Sequence, residues 1–263
     1  MNTSPLPSDK VVSDVILRAE NIVQSFDGKR TLDDVSLWLR EREIVSLLGV
    51  SGAGKTTLFN IIAGILNPDS GKVFFKNEEV TGESGHVAYM LQKDLLLKHM
   101  TVLDNVCLPL LIKGVPRHEA REQARPLFEK FGIAGYEQSY PAELSGGMSQ
   151  RAAFLRTYLF SQEVALLDEP FSALDAITKD QMHRWYLDIM KDIQLSVILI
   201  THDIDEAIKL SDRIYILGSH GKIIKEIEMN SNLRRGSDFY LQPEFLTYKR
   251  EIIQTLNASP VDE

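Results

Sequence analysis

Hydrophobic and polar positions change their rhythm along this chain in a readable order. Positions 15–21 alternate, as do Val35, Leu37 and Leu39, and both stretches predict half-buried strands. Asp27-Gly28-Lys29 between them is a turn signal. Positions 44–48 read Ile-Val-Ser-Leu-Leu, a short apolar run that stops at Gly49 and predicts a buried strand. After a glycine-rich turn, 56–66 carries helical apolar spacing and is closed by Asn67-Pro68-Asp69-Ser70-Gly71. Short strands are expected at 73–75 and 87–90.

Beyond Gln92 the rhythm turns helical. A helix is predicted over 101–112, and a second opens at Pro116 with Ala120, Ala124, Leu127, Phe128 and Phe131 on one face, ending at Gly132. A third covers 146–160, so that 93–161 reads as an all-helical insertion. Sheet character returns at 164–167 and 197–200, with a helix over 178–193 between them. Strands at 213–217 and 222–227 and a helix over 243–256 follow. The expectation is an α/β fold: a mixed sheet core with an N-terminal antiparallel β part, interrupted by a helical subdomain. Its boundaries are drawn at 14–228, with a disordered tail at 1–13 and a short extension at 229–263.

Composition narrows the class. The chain has 263 residues, 44% hydrophobic and 25% charged, which speaks against a disordered chain or a coiled-coil rod. A net charge of −8 without a long Lys/Arg block disfavours nucleic acid as a partner. The single cysteine, Cys107, allows neither an internal disulfide nor a cysteine-based zinc cluster. The longest uncharged run, 56–68, falls short of the roughly 20 apolar residues that cross a bilayer. Residues 1–13 have no apolar core and do not make a secretory signal. A chain of this kind is expected to be cytoplasmic, and to meet a membrane only through another protein.

The chemistry concentrates in three places. Gly49-Val50-Ser51-Gly52-Ala53-Gly54-Lys55-Thr56 has the spacing G-x-x-x-x-G-K-[ST] between a predicted strand and a predicted helix. Glycines let such a backbone curl so that its N–H groups face a phosphate chain, and the helix adds its positive dipole end. Lys55 can reach the β- and γ-phosphates, the Thr56 hydroxyl can ligate Mg²⁺, and Thr57 is the next residue of the expected nucleotide-binding stretch. The second place is Asp168-Glu169, two carboxylates at the end of an apolar run, where open α/β sheets bind ligands. Asp168 is expected to hold Mg²⁺ and Glu169 to polarise an attacking water. The third is Leu144-Ser145-Gly146-Gly147-Met148-Ser149-Gln150-Arg151, 23 residues before Asp168, where Ser145, Gly146 and Gly147 open a helix and offer a hydroxyl and free N–H groups to an anion.

These motifs, in this order, resemble the ATP-binding cassette (ABC) family, with the likeness running over about residues 15–227. The resemblance implies a P-loop ABC ATPase fold that takes ATP and Mg²⁺. It implies further that Phe26 stacks on adenine, that Gln92 touches Mg²⁺ and the attacking water, that Asp175 closes the Ser172-Ala173-Leu174-Asp175 loop, and that His202 contacts the γ-phosphate. Phe26 stands where relatives often have Tyr, and 152–159 departs from a common Ala-Arg-Ala-Leu pattern; neither change removes a catalytic group. One P-loop and one signature per chain imply a head-to-tail dimer of two copies, each ATP held by Lys55 of one and Ser145 of the other. A transmembrane permease is the implied partner, with an extracytoplasmic solute-binding protein acting indirectly. Finer likeness, including Phe171, is to importer ATPases of the nitrate/sulfonate/taurine type. An exporter ATPase and a soluble non-transport ABC ATPase stand as alternatives.

Other residues carry plainer expectations. His86, His99, His118, His183 and His220 have no ligand-like spacing and are expected at the surface. Cys107, the apolar face running from Ala120 to Phe131, Trp185 and Tyr186 are expected to pack.

Overall fold

The computed structural model describes residues 14–230 and 239–258. In chain order the elements are β1 (Val15–Phe26), β2 (Lys29–Arg40), β3 (Ile44–Gly49), α1 (Lys55–Ile62), β4 (Ser70–Phe75), β5 (Glu78–Glu79) and β6 (Ala88–Met90). Then come α2 (Val102–Ile112), α3 (Arg117–Lys130), α4 (Gly146–Phe160), β7 (Val164–Asp168), α5 (Ala176–Asp192) and β8 (Ser196–Thr201). The chain closes with α6 (Ile204–Leu210), β9 (Arg213–Leu217), β10 (Ile223–Glu228) and α7 (Pro243–Ala258). They form two compact units, one from the residues up to 86 and from 196 onward, the other from 87 to 195. The expected tail at 1–13 lies outside the described residues.

In the first unit, β1 and β2 make an antiparallel hairpin whose ends, Phe26 and Lys29, pair across Asp27 and Gly28. Both linking residues have positive φ, 49° and 78°, as a two-residue hairpin turn that follows strand twist requires. This sheet runs β2-β1-β4-β5. β5 has no apolar rhythm, only Glu78-Glu79 paired to Phe75 and Phe74, and so no pattern foretells it. The same unit holds a run of strands ordered β10-β9-β3-β8, parallel except for the antiparallel β10. β3, β8 and β9 are buried along their whole length, and apart from Ser46, Ser196, Thr201 and Arg213 their sequences are apolar runs.

α1 ends four residues earlier than the apolar spacing predicts. Gly64, at φ 69°, takes the chain out of the helix, and the amides of Ile65 and Leu66 turn back to the Asn60 carbonyl at 2.9 and 3.1 Å. A Cβ on Gly64 would stand 2.2 Å from the Glu83 carbonyl oxygen, so only glycine passes here.

A polar feature of this unit escapes pattern reading. Arg213, at the start of β9, is buried, its guanidinium 3.3 Å from the centre of the Trp38 ring. It donates to the Trp38 carbonyl at 2.7 Å, to both Glu43 carboxylate oxygens at 3.0 and 3.1 Å, and to Glu226 at 2.6 Å. The charge is tolerated inside because it is paired and its donors are satisfied.

In the second unit, β6 and β7 pair in parallel. The elements between residues 93 and 161 are all helical. Ala120, Ala124, Phe128 and Phe131 are buried on one face, Trp185 meets the rings of Phe131 and Phe154, and Tyr186 is buried. Cys107 is fully buried, and burial pushes its thiol up to about 11. His183 corrects the surface expectation. It lies on the inner face of α5 beside Met182, Tyr186 and Ile189, with its ring edge-on to Phe171 at 5.0 Å. α5 itself begins two residues before the predicted start, because Asp175 caps it by accepting from the amides of Ile177 and Thr178.

Candidate functional site

The first unit carries one set of motif residues at the C-terminal ends of β3 and β8. Leu48 of β3 pairs with Thr201 of β8, so the loop after Gly49 and the loop holding His202 leave the sheet side by side. Gly52 and Gly54 have φ of 80° and 100°, which an L side chain rarely adopts. Gly49 and Gly54 are also closely covered. A Cβ on Gly49 would meet the Leu217 carbonyl at 2.6 Å, and one on Gly54 the Thr31 carbonyl at 2.8 Å. Gly54 caps α1 without any side-chain hydrogen bond, and no acidic residue sits in the first turn. The positive dipole end of the helix is therefore offset by neither a side-chain cap nor an acidic residue of its first turn. Lys55 is buried, its ammonium donating to the carbonyls of Gly49 at 2.8 Å and Val50 at 2.9 Å. The cation is thus held inside the curl of the loop. Ala53 is buried with it, while Ser51, Thr56 and His202 are exposed and Thr57 is partly covered. Phe26, at the end of β1, exposes 46% of its surface, leaving a ring face for stacking.

The second unit carries the carboxylates. Met90 of β6 pairs with Leu167 of β7, so Gln92 and the Asp168-Glu169 pair emerge at the same end. The Gln92 amide donates to the Glu169 carboxylate and to the Ser172 hydroxyl, both at 3.3 Å. Glu169 has φ 45°, an uncommon conformation for a side-chain-bearing residue. Ser172 holds it there, its hydroxyl and amide donating to the Glu169 carbonyl at 2.9 and 3.2 Å. Asp168 is buried, and the Tyr89 hydroxyl donates to it at 3.5 Å. Burial first, then the Asp168 charge, raise the Tyr89 pKa, so that the phenol stays a donor.

The same unit positions the signature. The Ser145 hydroxyl caps α4 by accepting from the Met148 amide at 3.3 Å. Gly146 is exposed and Gly147 buried; their absent Cβ atoms would lie 3.3 Å from Leu174 and 3.4 Å from Thr178. The signature helix and the Asp175 cap of α5 are therefore packed together. The Thr178 hydroxyl donates to the Asp175 carboxylate at 2.6 Å, and its hydrogen bonds hold that carboxyl below the ordinary range.

Chemically, the first set can cradle a phosphate chain beside an internal cation, and the second is an acid pair with the Gln92 amide bonded to Glu169. Among the described residues no group of three or more His, Cys, Asp or Glu side chains could hold a metal by itself. Mg²⁺ takes most of its ligands from water and phosphate, and the carboxylate of Asp168 and the hydroxyl of Thr56 are each an oxygen donor of the kind it accepts. Sequence reasoning missed Tyr89 and the bracing role of Ser172. The one available signal for each was a polar side chain within four residues of Gln92 or Glu169.

Residues 32–172 match the model of the ABC transporter family. The chain is 44% identical to the formylaminopyrimidine import ATP-binding protein ThiZ of Halalkalibacterium halodurans, over 78% of this chain and 80% of that protein. It is 34% identical to the nitrate import ATP-binding protein NrtD of Synechocystis sp., over 94% of this chain and 97% of that protein. Among solved structures, an ATP-binding cassette in a dimeric post-hydrolysis state bound to ADP and Pi superimposes with a TM-score of 0.68. It is 26% identical and covers 82% of this chain and all of that one.

Proposed function

The chain belongs to the ABC transporter family, and we propose that it is the ATP-hydrolysing subunit of an importer, driving uptake through a membrane permease. The observation that carries this is the match to a nitrate import ATP-binding protein along 94% of this chain. The substrate class proposed is nitrate, a sulfonate such as taurine, or a related small organic solute. The working place is the inner face of the cell membrane. Among the described residues no helix is long and apolar enough to cross it, so the permease supplies the anchor.

In this reading the N–H groups of 49–56 and the Lys55 ammonium bind the phosphates, and Phe26 stacks on the base. Thr56, Gln92 and Asp168 would hold Mg²⁺, which would neutralise charge on the phosphates. Glu169 accepts a proton from the attacking water, Gln92 orients that water, and His202 meets the γ-phosphate. Glu169 accepts from the Gln92 amide at 3.3 Å, which sets the two groups of this role side by side. Each ATP is shared by two copies in head-to-tail arrangement, Lys55 from one and Ser145 from the other. A solute-binding protein on the far side delivers cargo to the permease.

The test is reconstitution with the permease in sealed vesicles, with ATP supplied only on the face that carries this chain. Import requires solute to accumulate on that same face; accumulation on the opposite face would establish an exporter. Failure to co-purify with any permease would favour a soluble ABC ATPase. The shared site is tested by mixing two inactive variants, Lys55→Ala and Ser145→Arg. Mixed dimers regain one intact site and bind ATP in closed form; mixed dimers that never do so would refute sharing.

A further inference from the structure

The nucleotide-binding reading assigns no task to the chain beyond β10, yet α7 is built into the first unit. Phe245 and Ile252 of α7, together with Phe239 ahead of it, are buried in one apolar cluster with Ala207 and Ile208 of α6, Ile214 and Ile216 of β9, and Met229. At the surface the Lys249 ammonium of α7 meets the Asp205 carboxylate of α6 at 2.7 Å, and Lys209 of α6 lies 5.2 Å from the centre of the Tyr240 ring.

α6 needs such support. It has seven residues, about two turns, and helices of that length do not persist in water without tertiary packing. Its N-terminal cap is Asp203, whose carboxylate accepts from the amides of Asp205 and Glu206 at 3.0 and 3.2 Å. The Asp203 amide in turn donates to the Thr201 hydroxyl at 3.0 Å, at the end of β8. His202 is the single residue between the last residue of the strand and the cap of the helix. Its backbone is therefore fixed from two sides, by β8 and by α6, and α6 is fixed by α7.

We propose that α7 is a buttress for the His202 loop, with Lys249 a positioning residue that acts through Asp205 and α6. The inference rests on the nucleotide-hydrolysing reading, in which His202 meets the γ-phosphate. A cassette that lost this support would still bind ATP through the P-loop, but His202 would be in place for a smaller fraction of the time.

Deleting 243–258 would bare the apolar cluster and invite misfolding, so the test uses the full chain and the charge pair. Lys249→Glu sets a carboxylate against Asp205, whereas Lys249→Arg keeps the attraction. Lys249→Glu is expected to speed amide exchange across α6 by about fivefold or more while the P-loop helix keeps its protection. It should lower kcat about three- to tenfold with the Kd for ATP unchanged within about twofold. Lys249→Arg should match the parent chain in both measurements. Unchanged α6 exchange in Lys249→Glu would overturn the buttress whether or not the chain hydrolyses ATP. Faster α6 exchange with kcat intact would overturn the link to His202. A parent chain that binds ATP but never turns it over would instead fault the reading of the site, and the exchange data would still decide whether α7 holds α6.

Discussion

In the proposed function the two units contribute to nucleotide chemistry in opposite ways. The first uses backbone. Its helix α1 starts at a glycine with no side-chain cap, and its cation is folded against the carbonyls of Gly49 and Val50. The second uses side chains, with Thr101, Ser145 and Asp175 capping α2, α4 and α5, and Gln92, Glu169 and Ser172 bonded to one another. A site made of backbone is broken by adding an atom, because any Cβ collides or strains the turn. A site made of side chains is broken by changing one atom for another while the fold stands.

Four measurements sharpen or break that contrast. The largest effect is expected at Glu169→Gln, which exchanges one oxygen for an amide nitrogen. Turnover should fall by at least about 100-fold, the usual range for losing a general base, with ATP affinity kept and the dimer trapped in its ATP-bound form. Steady-state hydrolysis beside nucleotide binding checks this, and near-normal turnover would remove Glu169 from the role.

Gly54→Ala comes next. At φ 100°, with the Thr31 carbonyl 2.8 Å from the new carbon, the loop must shift or strain. A strained backbone position of this kind costs about 1–3 kcal/mol, so ATP affinity and thermal stability should fall together. Retention of both would show that the cradle tolerates a side chain. In the second unit, Thr101→Ala removes the hydroxyl that accepts from the Asp104 amide at 3.2 Å. Loss of such a cap costs about 1 kcal/mol, to be read as a lower denaturation midpoint with the ATP affinity of folded protein intact.

The smallest effect concerns pH. The Thr178 hydrogen bonds lower the folded-state pKa of Asp175 below its ordinary value of 3.8. The stabilising contribution is therefore present above the ordinary carboxylate value and is lost as pH falls through the depressed folded value. Asp175→Asn should flatten the acid limb of the stability curve; an unchanged limb would show that the cap carries no pH dependence.

What the sequence disclosed follows the same division. The glycines, Lys55, Asp168-Glu169 and the Ser-Gly-Gly turn were legible because their chemistry demands fixed local spacing. The largely apolar β3 and β8 were legible as strands for the same local reason. The bonds that brace the site were not. Tyr89 meets Asp168 across 79 positions and Gln92 meets Ser172 across 80, and no short window holds both partners. Arg213 reads only as the first residue of a strand until Glu43, 170 positions away, is found beside it. α7 was foreseen as a helix, but what it covers could be learned only from packing, which puts Phe245 and Ile252 in one cluster with distant residues such as Ala207 and Ile208. β5 had no pattern to see, since a two-residue edge strand is defined by its partner.

The burial of Cys107 has a practical side. With the chain's one thiol shut inside the protein and held largely in its unreactive neutral form at ordinary pH, maleimide dyes and spin labels find almost no target in the parent molecule. A cysteine introduced at an exposed position such as Ile177 would then carry a label alone. The approach of two copies could be followed by distance spectroscopy without first stripping native cysteines from the sequence.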